Sequence, residues 1–183
     1  MRNFNKYITP LMIILFLLHS FFASLEYLGL YNNFIHMSTS IFAIIFSIFV
    51  ILHAIVGIIF AIKGFKNVNR TKTYYIKANK YYYIKIISGI LMIIFIIFHM
   101  VLFIQINKNY QLAKTLNIPL LIINIFLYLS MLIHLLVSIK PFMITWGIDN
   151  KYLKIGIEIF LILLFIYLLI ANIIFVEVQL WKL

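Results

Sequence analysis

Four histidines lie singly inside long apolar segments of the chain, where polar side chains are rare. They are His19, His53, His99 and His134. The segment around His99, residues 88–103, contains no charged residue, so a buried imidazole there is costly unless it has a partner. A neutral imidazole is a common metal ligand and can also relay a proton. Four such residues on four segments predict a shared set of ligands, whereas each one taken alone also fits packing or an interhelical hydrogen bond.

The composition places these histidines in a membrane. Of the 183 residues, 66% are hydrophobic and only 10% are charged, and the mean hydropathy is +1.13. These values exclude an ordinary soluble domain. The chain has no cysteine, so it forms no disulfide, binds no iron–sulfur cluster through thiolates and attaches no haem covalently. Any metal bound by this chain would have nitrogen or oxygen ligands.

Five apolar segments are long enough to span a bilayer as helices. The first is too long for the core of a cleaved signal peptide and is predicted to be retained. The predicted fold is all-α, an integral membrane bundle of five transmembrane helices that forms a single domain over residues 1–183. The expected location is the inner (plasma) membrane of a bacterium. The predicted helices cover residues 8–30, 41–62, 83–106, 118–139 and 153–176.

The basic residues predict the orientation. Lysine and arginine number 15 against 4 acidic residues, which gives a net charge of +11. All but three of the basic residues fall in the N-terminal arm and in the second and fourth connections, and the other three are Lys108, Lys114 and Lys182. Positive-inside logic therefore places the N-terminus in the cytoplasm and the C-terminus outside. The positive face is expected to contact anionic lipid or an acidic partner, and nucleic acid is disfavoured because no basic soluble module is left to bind it.

Depth along the helices suggests how the histidines pair. At about 1.5 Å per residue, His134 lies about 9 Å and His53 about 15 Å from the predicted cytoplasmic helix ends. His19 lies about 16 Å and His99 about 21 Å from those ends. The order favours His53 with His134 and His19 with His99, although the similar depths of His19 and His53 do not force this pairing. Two neutral imidazoles on facing helices can hold a six-coordinate haem b that transfers electrons, and the chain would hold two such haems.

Further residues on the histidine faces are candidates for contacts with the haems. A small residue lets a flat ring approach the helix backbone, a hydroxyl offers a hydrogen bond, and a lysine at the interface can pair with a propionate. The glycines, including Gly89, also fit close helix packing alone. The candidate contacts are Gly57, Lys85, Ser88, Ser130 and Ser138.

Three stretches resemble a known family. They are HAIVGIIFAIKG (residues 53–64), IISGILMIIFIIFHMVLF (86–103) and IHLLVSIKPFMITWGI (133–148). In order and spacing they resemble the five-helix dihaem cytochrome b subunit of succinate dehydrogenases and fumarate reductases, over about residues 8–176. The most specific pieces are the SG followed by FxxxH around His99 and the TWGI after the fourth helix.

The resemblance implies a role for each histidine. His53 and His134 would ligate the haem next to an iron–sulfur subunit, and His19 and His99 the haem near the outer face. Such a subunit anchors a flavoprotein and an iron–sulfur subunit on the cytoplasmic side and is not catalytic alone. It exchanges electrons with membrane quinone, usually menaquinone, and so links the tricarboxylic acid cycle to the respiratory chain. The direction, succinate oxidation or fumarate reduction, stays open.

Glu26 is the candidate proton acceptor at a quinone site. It lies seven residues after His19, two turns along the same helix face, where a carboxylate could take a proton from a quinol. The alternative is that Glu26 simply reaches interfacial water. His36 falls in the predicted outer turn and is expected to be exposed and not to be a ligand.

Two other classes of protein fit the same features. One is the cytochrome b subunit of a formate dehydrogenase or hydrogenase, although such subunits tend to carry more than one histidine on a helix. The other is a haem-free transporter or assembly factor that uses the histidines as proton relays. A b-type absorption spectrum would exclude the second class, and a flavin subunit bound to the chain would separate the first from the succinate dehydrogenase family.

Overall fold

A computed structural model shows five long α-helices, which confirms the all-α prediction. The structure describes residues 2–28, 30, 33–71, 80–108 and 110–181, and the side chains of 6–28, 30, 33–66, 80–104 and 118–177. Every helix contains a stretch long and apolar enough to cross a membrane, as expected for a multi-pass membrane protein. The helices are α1 (Arg2–Tyr27), α2 (Asn33–Thr71), α3 (Lys80–Lys108), α4 (Tyr110–Thr145) and α5 (Lys151–Trp181).

The orientation stays a prediction because many of the side chains that support it are not described. Among them are Arg70, Lys72 and Lys77 on the predicted cytoplasmic side and all three basic residues on the opposite side, which lie outside the described side chains.

The chain packs as two units, and the boundary between them falls inside α3. The first consists of Met1–Glu26 with Tyr31–Ile86, and the second of Tyr27–Leu30 with Ile87–Leu183. The first unit therefore contains His19 and His53, and the second contains the other two intramembrane histidines.

The start of α2 corrects the sequence prediction. Residues 31–40 were expected to form a polar turn, but α2 already begins at Asn33. The hydroxyl of Thr39 donates to the carbonyl of Ile35 at 3.0 Å. A threonine hydroxyl can bond to the carbonyl four residues earlier in its own helix, so this segment can be helical although it is rich in serine and threonine. His36 consequently lies in the first turns of a helix and not in a loop.

Capping hydrogen bonds end α4 and begin α5 at the turn between them. The amide of Gly147 donates to the carbonyl of Ile144, and the amide of Ile148 to that of Met143, both at 3.0 Å. With Gly147 at a φ of 71°, this is a Schellman C-cap, and glycine suits it because side chains disfavour positive φ. Oδ1 of Asn150 then accepts hydrogen bonds from the backbone N–H groups of Tyr152 and Leu153, at 2.9 and 3.0 Å. Asn150 therefore caps the N-terminus of α5. The predicted end at residue 139 was therefore too early, because α4 continues through Pro141 to this cap.

The second unit has an apolar seam between α4 and α5. Ile139 and Met143 of α4 are buried with Leu161 of α5. The connection is short, so the two helices run antiparallel, and their buried residues recur at spacings of three and four, as in a helix pair. On α4 these include Leu120, Asn124, Leu127 and Met131, and on α5 Leu161, Phe165, Leu168, Asn172 and Val176.

In the first unit aromatic contacts join the helices. Phe22 of α1 stacks on Phe42 of α2 with ring centroids 5.5 Å apart. Near the start of α3, Tyr82 packs on Gly64, where a Cβ atom would collide with its hydroxyl group. That hydroxyl donates to the carbonyl of Ala61 at 3.4 Å. Gly64 thus leaves room for the Tyr82 side chain against α2.

Candidate functional site

The imidazole of His99 is held by an amide from the next helix. Its Nδ1 lies 2.7 Å from Oδ1 of Asn124, and its ring stacks on Phe103 with centroids 6.1 Å apart. An amide oxygen can only accept, so Nδ1 carries the hydrogen. In a neutral imidazole the lone pair is then on Nε2, which is the nitrogen available for a metal. Metal-bound histidines commonly donate their second N–H to an oxygen in the same manner.

The imidazole of His19 has the same tautomer for a different reason. Its Nδ1 lies 3.4 Å from the backbone carbonyl of Thr39 on α2. The ring also stacks on Phe46, with centroids 6.3 Å apart. A carbonyl only accepts, so Nδ1 is again the donor and the lone pair is on Nε2. In this case the acceptor belongs to the main chain and depends on no particular side chain.

The imidazole of His134 lies against α3. Its Nδ1 is 3.3 Å from the hydroxyl of Ser88, and because a hydroxyl both donates and accepts, this contact fits either tautomer. A Cβ atom on Gly89 would lie 3.2 Å from Cε1 of the imidazole and 3.4 Å from its Nδ1. Ser88 and Gly89 therefore position this ring, and the assignment of Ser88 as a haem contact stays a prediction.

His53 is half-buried, and its environment includes a cation. Lys85, near the start of α3, lies within electrostatic range of the His53 ring. The sequence prediction assigned Lys85 to a haem propionate, and its position beside one of the four histidines is compatible with that assignment.

Glu26 and His36 form a pair between α1 and α2. Oε1 of Glu26 lies 3.1 Å from Nδ1 of His36, and the exposed fractions of the two side chains are 12% and 46%. His36 is exposed, as predicted, but the sequence prediction had not paired it with Glu26. The carboxylate lies mostly below the surface and contacts an imidazole that is more exposed. Such a pair can pass a proton between a buried group and water.

The remaining candidate contacts have varied environments. A Cβ atom at Gly57 would have no neighbour within 4 Å, so the helix surface there is open. The hydroxyl of Ser130 donates to the carbonyl of Leu127 in its own helix at 2.9 Å. The hydroxyl of Ser138 is buried and has no hydrogen-bond partner in the described part of the chain.

The predicted pairs of histidines each combine one residue from each unit, and the pairing stays a prediction. Within the described ranges no three His, Asp or Glu side chains are grouped so that they could hold a metal ion. A haem needs fewer protein ligands, because its porphyrin supplies four nitrogens and two imidazoles complete the coordination.

Asn124 is the functional candidate that the sequence prediction missed. It is an amide inside an apolar segment, fully buried, and it fixes the tautomer of His99. Asn124 is neither ionisable nor small, so the features that marked the other candidates do not mark it. The signal in the sequence is a polar side chain inside an apolar segment, because uncharged amides also need a partner there.

Comparisons of the chain with protein-family models, with curated proteins and with solved structures find no match. The similarity to the dihaem cytochrome b subunits therefore depends on the three sequence stretches alone.

Proposed function

We propose that this chain is the dihaem cytochrome b anchor subunit of a succinate:quinone oxidoreductase, either a succinate dehydrogenase or a fumarate reductase. The observation that carries the proposal is the shared tautomer of His19 and His99. Each donates from Nδ1 to an oxygen, which puts the lone pair on Nε2, as in the metal-bound histidines that donate their second N–H to an oxygen.

The donor set of the chain fits two haem b groups. Four neutral imidazoles provide two axial ligands for each haem, and without cysteine the attachment is non-covalent. When bound, the haems supply one-electron transfer at a six-coordinate iron, which leaves no open position for oxygen. Asn124 and the main chain at Thr39 orient two of the imidazoles, Ser88 and Gly89 orient a third, and Lys85 is available for a propionate beside the fourth.

Glu26 and His36 would accept the proton released when a quinol is oxidised. The carboxylate of Glu26 takes the proton and His36 passes it to water, since the two side chains are in contact and His36 is the more exposed. If this assignment is right, Glu26→Gln slows quinol oxidation in the assembled complex and leaves the haem content unchanged. Unaltered quinol turnover in this variant would remove the role.

The proposed partners are a flavoprotein and an iron–sulfur subunit on the cytoplasmic face of a bacterial plasma membrane. The excess of basic residues suits an acidic partner surface and anionic lipid on that face. The chain is not proposed to be an enzyme alone, since the flavoprotein subunit would oxidise succinate or reduce fumarate. Its quinone is proposed to be menaquinone.

The experiment is purification of the tagged chain from the membranes of its own cells. The proposal predicts a reduced b-type spectrum, a bound flavin subunit, and electron transfer between succinate or fumarate and a quinone. A haem-containing preparation with a formate dehydrogenase or hydrogenase subunit instead would move the chain to another respiratory complex. A preparation without haem would overturn the proposal and favour a transporter or assembly factor.

A further inference from the structure

Two fully buried asparagines of the second unit have side-chain atoms without a hydrogen-bond partner among the described residues. Asn124 of α4 and Asn172 of α5 both have an exposed fraction of 0%. Oδ1 of Asn124 accepts from His99, but its Nδ2 has no partner among the described residues, and neither polar atom of Asn172 has one. Burying an unpaired amide is costly, so each of these atoms needs a hydrogen-bond partner.

The helix register places the two amides at one level. Asn124 lies 21 residues before Thr145, the last residue of α4, and Asn172 lies 21 residues after Lys151, the first residue of α5. In an antiparallel pair joined by a short turn, equal distances from the turn mean equal depth, about 32 Å from it at 1.5 Å per residue. A ring contact between Tyr128 of α4 and Phe165 of α5, with centroids 6.2 Å apart, agrees with this register to within about one turn.

The direction of the side chains also favours convergence. A side chain on an α-helix leans toward the N-terminus of that helix. Because α4 and α5 run antiparallel, Asn124 leans away from the connecting turn and Asn172 leans toward it. The contact between Tyr128 and Phe165 places Asn172 about three residues, or about 4.5 Å, farther from the turn than Asn124, so the two leans bring the amides closer together. Both belong to the row of buried residues on their helix, spaced by three and four from their buried neighbours. Their amides are therefore directed into the same part of the seam without forming a direct hydrogen bond.

We propose that Asn124 and Asn172 bind an internal water molecule, which extends the hydrogen bond of His99 across α4 to α5. The unmet groups are two NH₂ donors and one carbonyl acceptor, and a water molecule can accept from both donors and donate to the carbonyl. Internal waters make about three hydrogen bonds of this kind. The site goes beyond the proposed function and does not depend on it, because the water would bind in a haem-free chain as well.

The water gives Asn172 a positioning role toward His99. The amide of Asn124 has a carbonyl end and an NH₂ end that can exchange places by rotation. A water that accepts from Nδ2 fixes the NH₂ end toward α5, and Oδ1 then faces the imidazole. Without Asn172 that restraint is weaker, so the donor Nδ1–H of His99 has a less ordered acceptor.

The first experiment is NMR of the ¹⁵N-labelled full-length chain in lipid nanodiscs. We expect magnetisation transfer from water to the side-chain amide protons of Asn124 and Asn172. In Asn172→Leu the transfer to Asn124 disappears and the ¹⁵Nδ1 shift of His99 moves. The control is Ser47→Ala, which removes a hydroxyl that bonds to the carbonyl of Ala43 in its own helix and leaves both signals unchanged. Absence of water transfer in the unmodified chain overturns the proposal, whether or not the variants fold.

The second experiment is a double-mutant cycle of Asn124→Leu and Asn172→Leu, with the unfolding equilibrium measured in detergent. Each single variant leaves the other amide with one partner fewer, whereas the double variant removes both. We expect the double variant to be more stable than additivity predicts by about fivefold in the unfolding constant. Additive effects would contradict a shared site. Coupling without water transfer would mean a direct contact between the amides and would also overturn the water site.

Discussion

The two units of the molecule hold their histidines by different means. In the second unit His99 and His134 contact side chains of a neighbouring helix, Asn124 and Ser88. In the first unit His19 donates to a backbone carbonyl, at Thr39. Substitution can remove a side-chain acceptor, whereas a main-chain acceptor persists as long as the helix does. The orientation of the histidines is therefore encoded in particular residues of the second unit and in helix packing in the first.

The units also differ in where their polar groups lie. Glu26 and His36 of the first unit meet at a partly exposed position, and both side chains reach solvent to some extent. Asn124 and Asn172 of the second unit are fully buried. A polar pair near solvent can exchange protons with water, whereas a buried amide can only serve structure or orient a neighbour. The first unit thus suits proton exchange and the second suits a fixed ligand geometry.

The largest effect is expected from Gly89→Leu in the second unit. The contact of Gly89 with the His134 ring leaves no space for a branched side chain, so the imidazole must leave its position on α3. We expect the variant to lose about one haem of two, because one axial ligand is displaced. The measurement is haem per chain by pyridine haemochrome. Gly156→Leu is the control, since a Cβ atom there has no neighbour within 4 Å. Full haem content in Gly89→Leu would show that His134 is not a ligand in this orientation.

A smaller effect is expected from Asn124→Leu. The variant leaves His99 without its acceptor, and loss of such an outer-shell partner lowers affinity for the bound metal group by about 10- to 100-fold. Haem titration of the apo chain measures the change, which should affect one site of two. Equal haem affinity in the variant and the unmodified chain would separate Asn124 from haem binding.

Ser88→Ala should have a milder effect. The contact between Ser88 and His134 is longer than that of His99, and the close approach at Gly89 still confines the ring. We expect both haems to be retained and the free energy of unfolding to fall by about 1 kcal/mol for the lost hydrogen bond. Denaturant titration with haem absorbance as the signal gives both quantities. Loss of a haem in this variant would mean that the hydroxyl, and not the glycine, fixes His134.

The smallest effect is expected from Thr39→Ala in the first unit. Its carbonyl, which accepts from His19, is kept, and its hydroxyl bonds only to Ile35 in the same helix. Haem content should not change, and unfolding should change by less than about 1 kcal/mol. The contrast with Asn124→Leu tests whether main-chain and side-chain acceptors differ as described. A haem loss as large as that of Asn124→Leu would contradict the difference between the units.

Hydrophobic runs were sufficient to predict five helices, because in an apolar environment backbone groups must bond within each segment. The hydrophobic runs did not predict where each helix begins and ends. The α2 start was missed because its serines and threonine suggested a turn, whereas Thr39 bonds within the helix. The α4 end was missed because it depends on Gly147 at positive φ. The four histidines stand out in the sequence as polar residues in apolar runs. Their acceptors do not, since one is a main-chain carbonyl and another, Asn124, is 25 residues away from His99.

The most direct measurement for the central claim is the haem content and ligation of the purified chain. We predict two haem b per chain by pyridine haemochrome, with low-spin electron paramagnetic resonance signals of bis-imidazole iron. Replacement of His19, His53, His99 or His134 by alanine, one at a time, should remove about one haem each, and His36→Ala should remove none. A chain without haem, or haem that survives all four replacements, would contradict the assignment of these histidines as ligands.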